Sequence, residues 1–388
     1  MAAEWEQQCL VALRDNGLPV VSVEIRGDSL KGGYICATHR LVVKYAADAD
    51  ELLPPSMVLK IEEPDSNDHA IAAELQLYER EWHFFEVLQE RCAEVIRCPR
   101  YYGTVKDGGL KVGVIMEDLE LLGHCSSKIT RSLLCPNMDR DAIMLTVDHL
   151  ARLHALFFSK EAELERLGVK PLNCGLLAPS RVASQWPGFL AKWQDEYSVL
   201  DAVSDEVIGE AGSWSGFGLS ADALRAADKI VQGFSWVQNE LSTAPCTFLH
   251  GDVKPPNMFF LEQDGIDGFT PTFIDWQYTA IGKGVCDVVF FMVEGFTIAE
   301  QRQLEPLLMA RYHTALVANG IHSYSEQELQ RDWKLATMHF PIYVCMWFGS
   351  ATDGNLVDPT FPKRFVPRAM DAILRNGAHH LIPAQTVG

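Results

Sequence analysis

One segment of this 388-residue chain restricts its fold more than any other: CTFLHGDVKPPNMFFLEQDGIDGFTPTFIDWQYTAIGKGVCDVVFFM, residues 246–292. A short apolar run, Thr247 to Leu249, leads into His250, Gly251 and Asp252. Asn257 follows five residues later, in a loop stiffened by Pro255 and Pro256. A second apolar run, 258–261, and a polar turn lead to the strand-like FTPTFIDW, which carries Asp275 near its end. A carboxylate, a carboxamide and a second carboxylate are thereby spaced to converge from one loop and two short strands. A lone aspartate here would read as a turn or cap residue, but the ordered set asks for more than a turn does.

Those three groups suit phosphoryl transfer. One aspartate orients an incoming hydroxyl and accepts its proton, while the second aspartate and the asparagine oxygen hold Mg2+ on the phosphates. Magnesium takes hard oxygen ligands and keeps several waters, so few protein ligands suffice.

The first hundred or so residues alternate as strands do. VVSVEIRG (20–27) enters a glycine-containing turn, DSLKGG (28–33), and YICATHRLVVKYA (34–46) follows. SMVLKIEE (56–63) is a third strand, with Lys60 near its end. Ile71, Leu75, Tyr78, Trp82, Phe85 and Leu88 then form one apolar stripe at helical spacing, with Asp68 as the N-cap. Two further strands are joined by Asp107, Gly108 and Gly109, a hairpin signal. The pattern predicts a small antiparallel sheet carrying one helix. A lysine on a central strand needs a partner when buried, and Glu74, Glu79 and Glu81 are the acidic candidates on that helix.

HGDVKPPN followed by FIDWQ resembles the catalytic and metal-binding segments of the aminoglycoside phosphotransferase and choline kinase superfamily. GDSLKGGYICATHRLVVKYA, PSMVLKIEEP, ELQLYEREWHFF and GVIMEDL are most similar to its ecdysteroid-kinase-like (CHK kinase-like) branch, over about Val20 to Gly295. The resemblance implies an α+β, bilobal protein-kinase-like fold. Its N-lobe (1–118) would be a small antiparallel β-sheet with one helix, and its C-lobe (119–388) larger and mainly helical. It implies ATP and Mg2+ as cofactors and a small-molecule alcohol as acceptor. By the same likeness Asp252 is the catalytic base, Asn257 and Asp275 are metal ligands, and Lys60 steadies the nucleotide phosphates with Glu81 positioning it. Met116, Glu117 and Leu119 would present backbone to the adenine, His250 would be structural, and Asp287 would brace the loop. The chain departs from the pattern twice. GDSLKGG replaces GxGxxG, although Gly27, Gly32 and Gly33 still allow close backbone approach to phosphate. Lys254 makes the loop resemble the protein-kinase form, where a lysine neutralises the transferring group; the other reading is an exposed loop lysine.

Past residue 119 the chain reads as helical. Residues 138–158 carry a broad apolar stripe in which His154 reads as a core histidine, and 181–241 is Trp-rich. The segment 333–354 is dense in aromatics and Met and reads first as core; Trp347 and Phe348, beside Gly349, and Asp353 are the candidate acceptor-pocket walls.

Composition narrows the partners. The 52 acidic and 33 basic residues give a net charge of −19, which disfavours binding to nucleic acid or anionic membrane. The opening residues have neither a basic nor an apolar region, so no secretory signal is expected. No apolar run approaches the roughly 20 residues needed to span a bilayer. Ten cysteines without CxxC spacing read as reduced, in a cytoplasmic protein. The expected function is Mg-ATP-dependent phosphorylation of a sterol-like, amino-alcohol, antibiotic or sugar hydroxyl. A protein kinase, or a non-catalytic nucleotide-binding module on the same fold, is the alternative. Neither the acceptor nor the oligomeric state is legible.

Overall fold

The computed structural model describes residues 2–29, 36–63, 69–120, 138–174, 177–195, 221–262, 269–350 and 361–384. The chain divides into two compact units. The first comprises Met1–Arg131 with Met258–Gln277, the second Ser132–Asn257 with Tyr278–Gly388.

The first unit is built on a five-stranded antiparallel sheet: β1 (Val20–Ser29), β2 (Cys36–Tyr45), β3 (Ser56–Glu62), β4 (Tyr101–Asp107) and β5 (Leu110–Glu117), in the order β1-β2-β3-β5-β4. Gly108 and Gly109 close the β4–β5 hairpin with φ of 54° and 88°, the two successive positive values that a tight hairpin turn requires. Alternation sorts the side chains to two faces. Met57, Leu59 and Ile61 of β3 join Leu41, Val43, Val105 and Ile115 in a core closed by Cys9, Ala12 and Leu13 of α1 (Ala2–Asp15). Burying each such aliphatic side chain contributes about 1.5–3 kcal/mol. Lys60, one residue out of phase, faces the other way, with Thr38 and Val114 beside it in register. Helix α1 is a second helix on a sheet for which the sequence reading supplies one.

The apolar stripe of residues 71–88 is realised in pieces. It runs through α2 (His69–Glu74), α3 (Leu77–His83), a π-helical turn (Phe84–Leu88) and α4 (Gln89–Cys92). Gln76 breaks the first junction with a left-handed backbone, φ 56°. The π-turn widens the helix by one residue, so the adjacent Phe84 and Phe85 are both buried. The N-cap expected at Asp68 lies outside the described residues.

Four short strands follow: β6 (Thr247–Leu249), β7 (Met258–Glu262), β8 (Phe269–Phe273) and β9 (Ala280–Gly282). The β7–β8 hairpin belongs to the first unit. There Trp276 stacks on Phe84 at 3.8 Å between ring centroids, and Thr272 bridges to Arg97. The second unit pairs β6 with β9 and is otherwise mainly helical. Its α5 (Arg140–Phe157) starts at Asp139, whose carboxylate accepts the Ala142 N–H at 2.7 Å. The helix Val285–Gly295 is buried along nearly its whole length. The aromatic run forms the helix Phe340–Ser350, where Phe348 is buried against Phe361 and Phe365 and Gly349 packs on Phe189. Those two positions serve the core; Trp347 is half-buried, and Asp353 lies outside the described residues. Among the described residues, no helix is long and apolar enough to cross a membrane.

Candidate functional site

The chemistry-bearing residues fall into two sets, one inside each unit. In the first unit the Lys60 Nζ lies 2.7 Å from Glu81 Oε2 and 2.7 Å from Asp275 Oδ1. Among the three candidate glutamates, Glu81 is the one that meets the lysine. It is 2% exposed and sits on α3, beyond the break at Gln76. Burial works to lower the pKa of Lys60, but the Asp275 and Glu81 carboxylates outweigh it and hold the ammonium above its ordinary value. Burial pushes the Glu81 carboxyl up, and the lysine offsets part of that rise. Gln277 Nε2 donates to Glu81 at 3.5 Å. Asp275 has φ 68°, a left-handed conformation costly for a residue with a Cβ. It lies on the turn after β8, and the stack of Trp276 on Phe84 anchors that turn.

Met116 shares the face of Lys60, because Val58 pairs with Met116 and Lys60 with Val114. Glu117, the last residue of β5, turns its carboxylate to Arg97 (2.6 Å) and to the Arg100 N–H (3.1 Å). Leu119 packs with Phe259, Leu261 and Ile274. Gly27 falls where the β1–β2 register shifts between Ile25 and Ser29. Gly32 and Gly33 lie outside the described residues.

In the second unit β6 ends at His250. Gly251 has φ 86°, and a Cβ there would come within 2.1 Å of the Tyr278 carbonyl oxygen. No side chain fits at this position. Asp287, on the helix Val285–Gly295, accepts the N–H groups of His250 at 2.8 Å and Gly251 at 2.9 Å. The brace expected of Asp287 is therefore a pair of bonds to the main chain. Asp252 is buried, and its Oδ2 lies 2.9 Å from the Lys254 Nζ. Asn257, on a 3-10 turn with Pro255 and Pro256, donates its amide to the Asp252 carbonyl and to Oδ2, both at 3.0 Å. With both amide hydrogens engaged, the atom Asn257 has left to offer is its carbonyl oxygen. That oxygen in the second unit and the Asp275 carboxylate in the first are each hard donors of the kind Mg2+ takes, so each residue by itself suits the ion as a ligand.

The model of the ecdysteroid kinase-like family matches residues 31–322, three quarters of the chain. The chain belongs to that family. No curated protein matches it in sequence. Among solved structures, a candidate aminoglycoside phosphotransferase from Ralstonia eutropha JMP134 has a TM-score of 0.55 at 13% identity, covering 97% of this chain and 99% of that one. This likeness shows the fold, a kinase-like sheet with a mainly helical remainder. The choline kinase LicA from Streptococcus pneumoniae aligns at TM-score 0.45 and 13% identity over 92% and 95% of the two chains. An aminoglycoside 2″-phosphotransferase complexed with GDP and kanamycin aligns at 0.45 and 15%, over 96% and 98%.

Tyr312 and Glu294 of this ecdysteroid kinase-like chain escape motif reasoning, while His154 is the buried core histidine expected of it. His154 on α5 contacts Asp287 through Nε2 (3.2 Å) and the Tyr312 hydroxyl through Nδ1 (2.8 Å). A carboxylate only accepts, so Nε2 carries the hydrogen, and in the neutral ring Nδ1 takes that of the tyrosine. Nothing in the sequence ties Tyr312 to His154. Glu294 lies near Asp252 and Lys254. Burial raises its carboxyl to about 7, opposed by Lys254, Arg368 and Arg364 and reinforced by Asp252. Its one sequence signal is an acid at the end of the apolar run 288–293.

Proposed function

We propose that this chain is an Mg2+- and ATP-dependent phosphotransferase that phosphorylates a hydroxyl of a small molecule. The observation that carries this reading is the Lys60 ammonium shared by Glu81 and Asp275 on the central strand of the sheet. In this reading Lys60 grips the nucleotide phosphates, and Gly27, Gly32 and Gly33 bring backbone close to them. The backbone of Met116, Glu117 and Leu119 meets the base. Asp252 orients the acceptor hydroxyl and takes its proton as the oxygen attacks the γ-phosphorus. The bond from phosphorus to the ADP oxygen breaks in the same displacement. Lys254 balances charge beside the transferring group. Mg2+, held by Asn257 and Asp275, supplies positive charge along the phosphates when bound. The acceptor is a sterol-like alcohol, an amino alcohol, or an antibiotic or sugar alcohol, met in the cytoplasm.

The test is a metabolite extract incubated with γ-labelled ATP, with the phosphorylated product identified by mass. The wild type transfers label; Asp252→Asn lowers kcat about a thousand-fold with its melting temperature retained. A wild type that neither transfers phosphate nor gains thermal stability from Mg·ATP would remove the reading, as would a fully active Asp252→Asn.

A further inference from the structure

Where the chain leaves β5, Asp118 is almost entirely enclosed, its side chain 2% exposed. Four donors reach it. Oδ2 accepts from Arg40 Nε at 2.7 Å and Ser56 Oγ at 2.5 Å, and Oδ1 accepts from Arg40 Nη2 at 3.4 Å and the Glu120 N–H at 3.2 Å. Arg40 belongs to β2 and Ser56 opens β3, so one carboxylate ties the exit of β5 to both neighbouring strands. Its bond to the N–H two residues on curls the chain around Leu119. Arg40 Nη2 also reaches the Glu120 carboxylate at 2.7 Å, closing the loop from the far side. Glu117 is fixed separately, by Arg97 and Arg100 on the β4 side. The three-residue path from Glu117 to Leu119 is thus held from two directions by charge-assisted bonds, stronger than the fold of a surface loop requires. Among the described residues no hydrogen bond uses the Leu119 N–H.

We propose that Asp118, with Arg40 and Ser56, is a positioning residue that fixes the Glu117–Leu119 backbone for recognition of the nucleotide base. This inference rests on the functional reading above, which places the base at that backbone. Asp118 touches neither the phosphates nor the acceptor, so its loss should appear in nucleotide affinity and base preference and leave turnover at saturation in place.

The test measures Kd for Mg·ATP and Mg·GTP, together with kcat and KM, on the full chain and its folded variants. Asp118→Asn should weaken binding of the preferred nucleotide about ten-fold and narrow the ATP-to-GTP ratio, with kcat at saturation within about two-fold. Ser56→Ala removes a single donor and should act in the same direction by about three-fold, which covers the case of an Asp118 variant that does not fold. Arg40→Gln should weaken binding as Asp118→Asn does, and Arg40→Lys should recover part of it. Folded variants with unchanged Kd and an unchanged ATP-to-GTP ratio, whatever their melting temperatures, overturn the proposal. A wild type that binds neither nucleotide overturns the functional reading itself, and this inference with it. Binding by the wild type separates the two failures.

Discussion

Lys60 in the first unit and Asp287 in the second are both drawn out of water, and they are satisfied in different ways. Around Lys60 one ammonium faces two carboxylates, side chain to side chain, and the set keeps a net negative charge. Around Asp287 one carboxylate gathers two main-chain N–H groups and a ring N–H. The first arrangement can exchange partners by rotating side chains. The second cannot change without moving the backbone of the loop that carries Asp252. Side-chain charge is therefore kept adjustable in one place, while the loop that carries Asp252 is held rigid in the other.

Mutations should separate these two designs. Asp287→Ala strands two backbone donors and His154, and should cost about 3 kcal/mol in urea unfolding along with most activity. A cost under about 1 kcal/mol would mean the loop is held by other means. Lys60→Met should leave the fold in place at pH 5 and raise the KM for ATP about ten-fold or more. It also removes the cation that offsets the raised Glu81 pKa. A carboxyl whose pKa is raised on folding binds more protons when folded, so stability falls as pH climbs above the unfolded value. Lys60→Met should show a steeper fall than the wild type in thermal melts between pH 5 and 8; parallel curves would contradict the pairing. Glu294 obeys the same sign, with a window from its ordinary 4.5 to about 7. Glu294→Gln should flatten the wild-type decline in melting temperature across that window, and an unaltered slope would exclude burial as the cause. The smallest effect belongs to Tyr312→Phe, which removes one hydroxyl bond from His154 and should cost about 1 kcal/mol. A loss as large as that of Asp287→Ala would make the tyrosine part of the brace itself.

Strand positions were legible because alternation and glycine turns are local. The readings 20–27, 34–46 and 56–63 and the Gly108-Gly109 hairpin came directly from those patterns, and the strands run Val20–Ser29, Cys36–Tyr45 and Ser56–Glu62. The stripe from Leu75 to Leu88 was legible as buried, but its segmentation was not. A left-handed Gln76 and a π-turn at 84–88 shift the helical phase, and neither leaves a periodic mark. Helix α1 offered only Trp5, Cys9 and Leu13 at steps of four, a short signal beside the strands it covers. Asp118 was visible only as the aspartate of MEDL; its side-chain donors lie 78 and 62 residues away.

The sequence by itself determined the residue types: Asp252, Asn257 and Asp275 at a spacing suited to phosphoryl transfer, a lysine on a strand, and a glycine between His250 and Asp252. Tertiary structure decided the partnerships. It chose Glu81 over Glu74 and Glu79 for Lys60. It also showed why Gly251 must be glycine, since the Tyr278 carbonyl fills the space a Cβ would need. Spacing along a chain sets which groups can meet locally, and packing between distant segments sets which of them do.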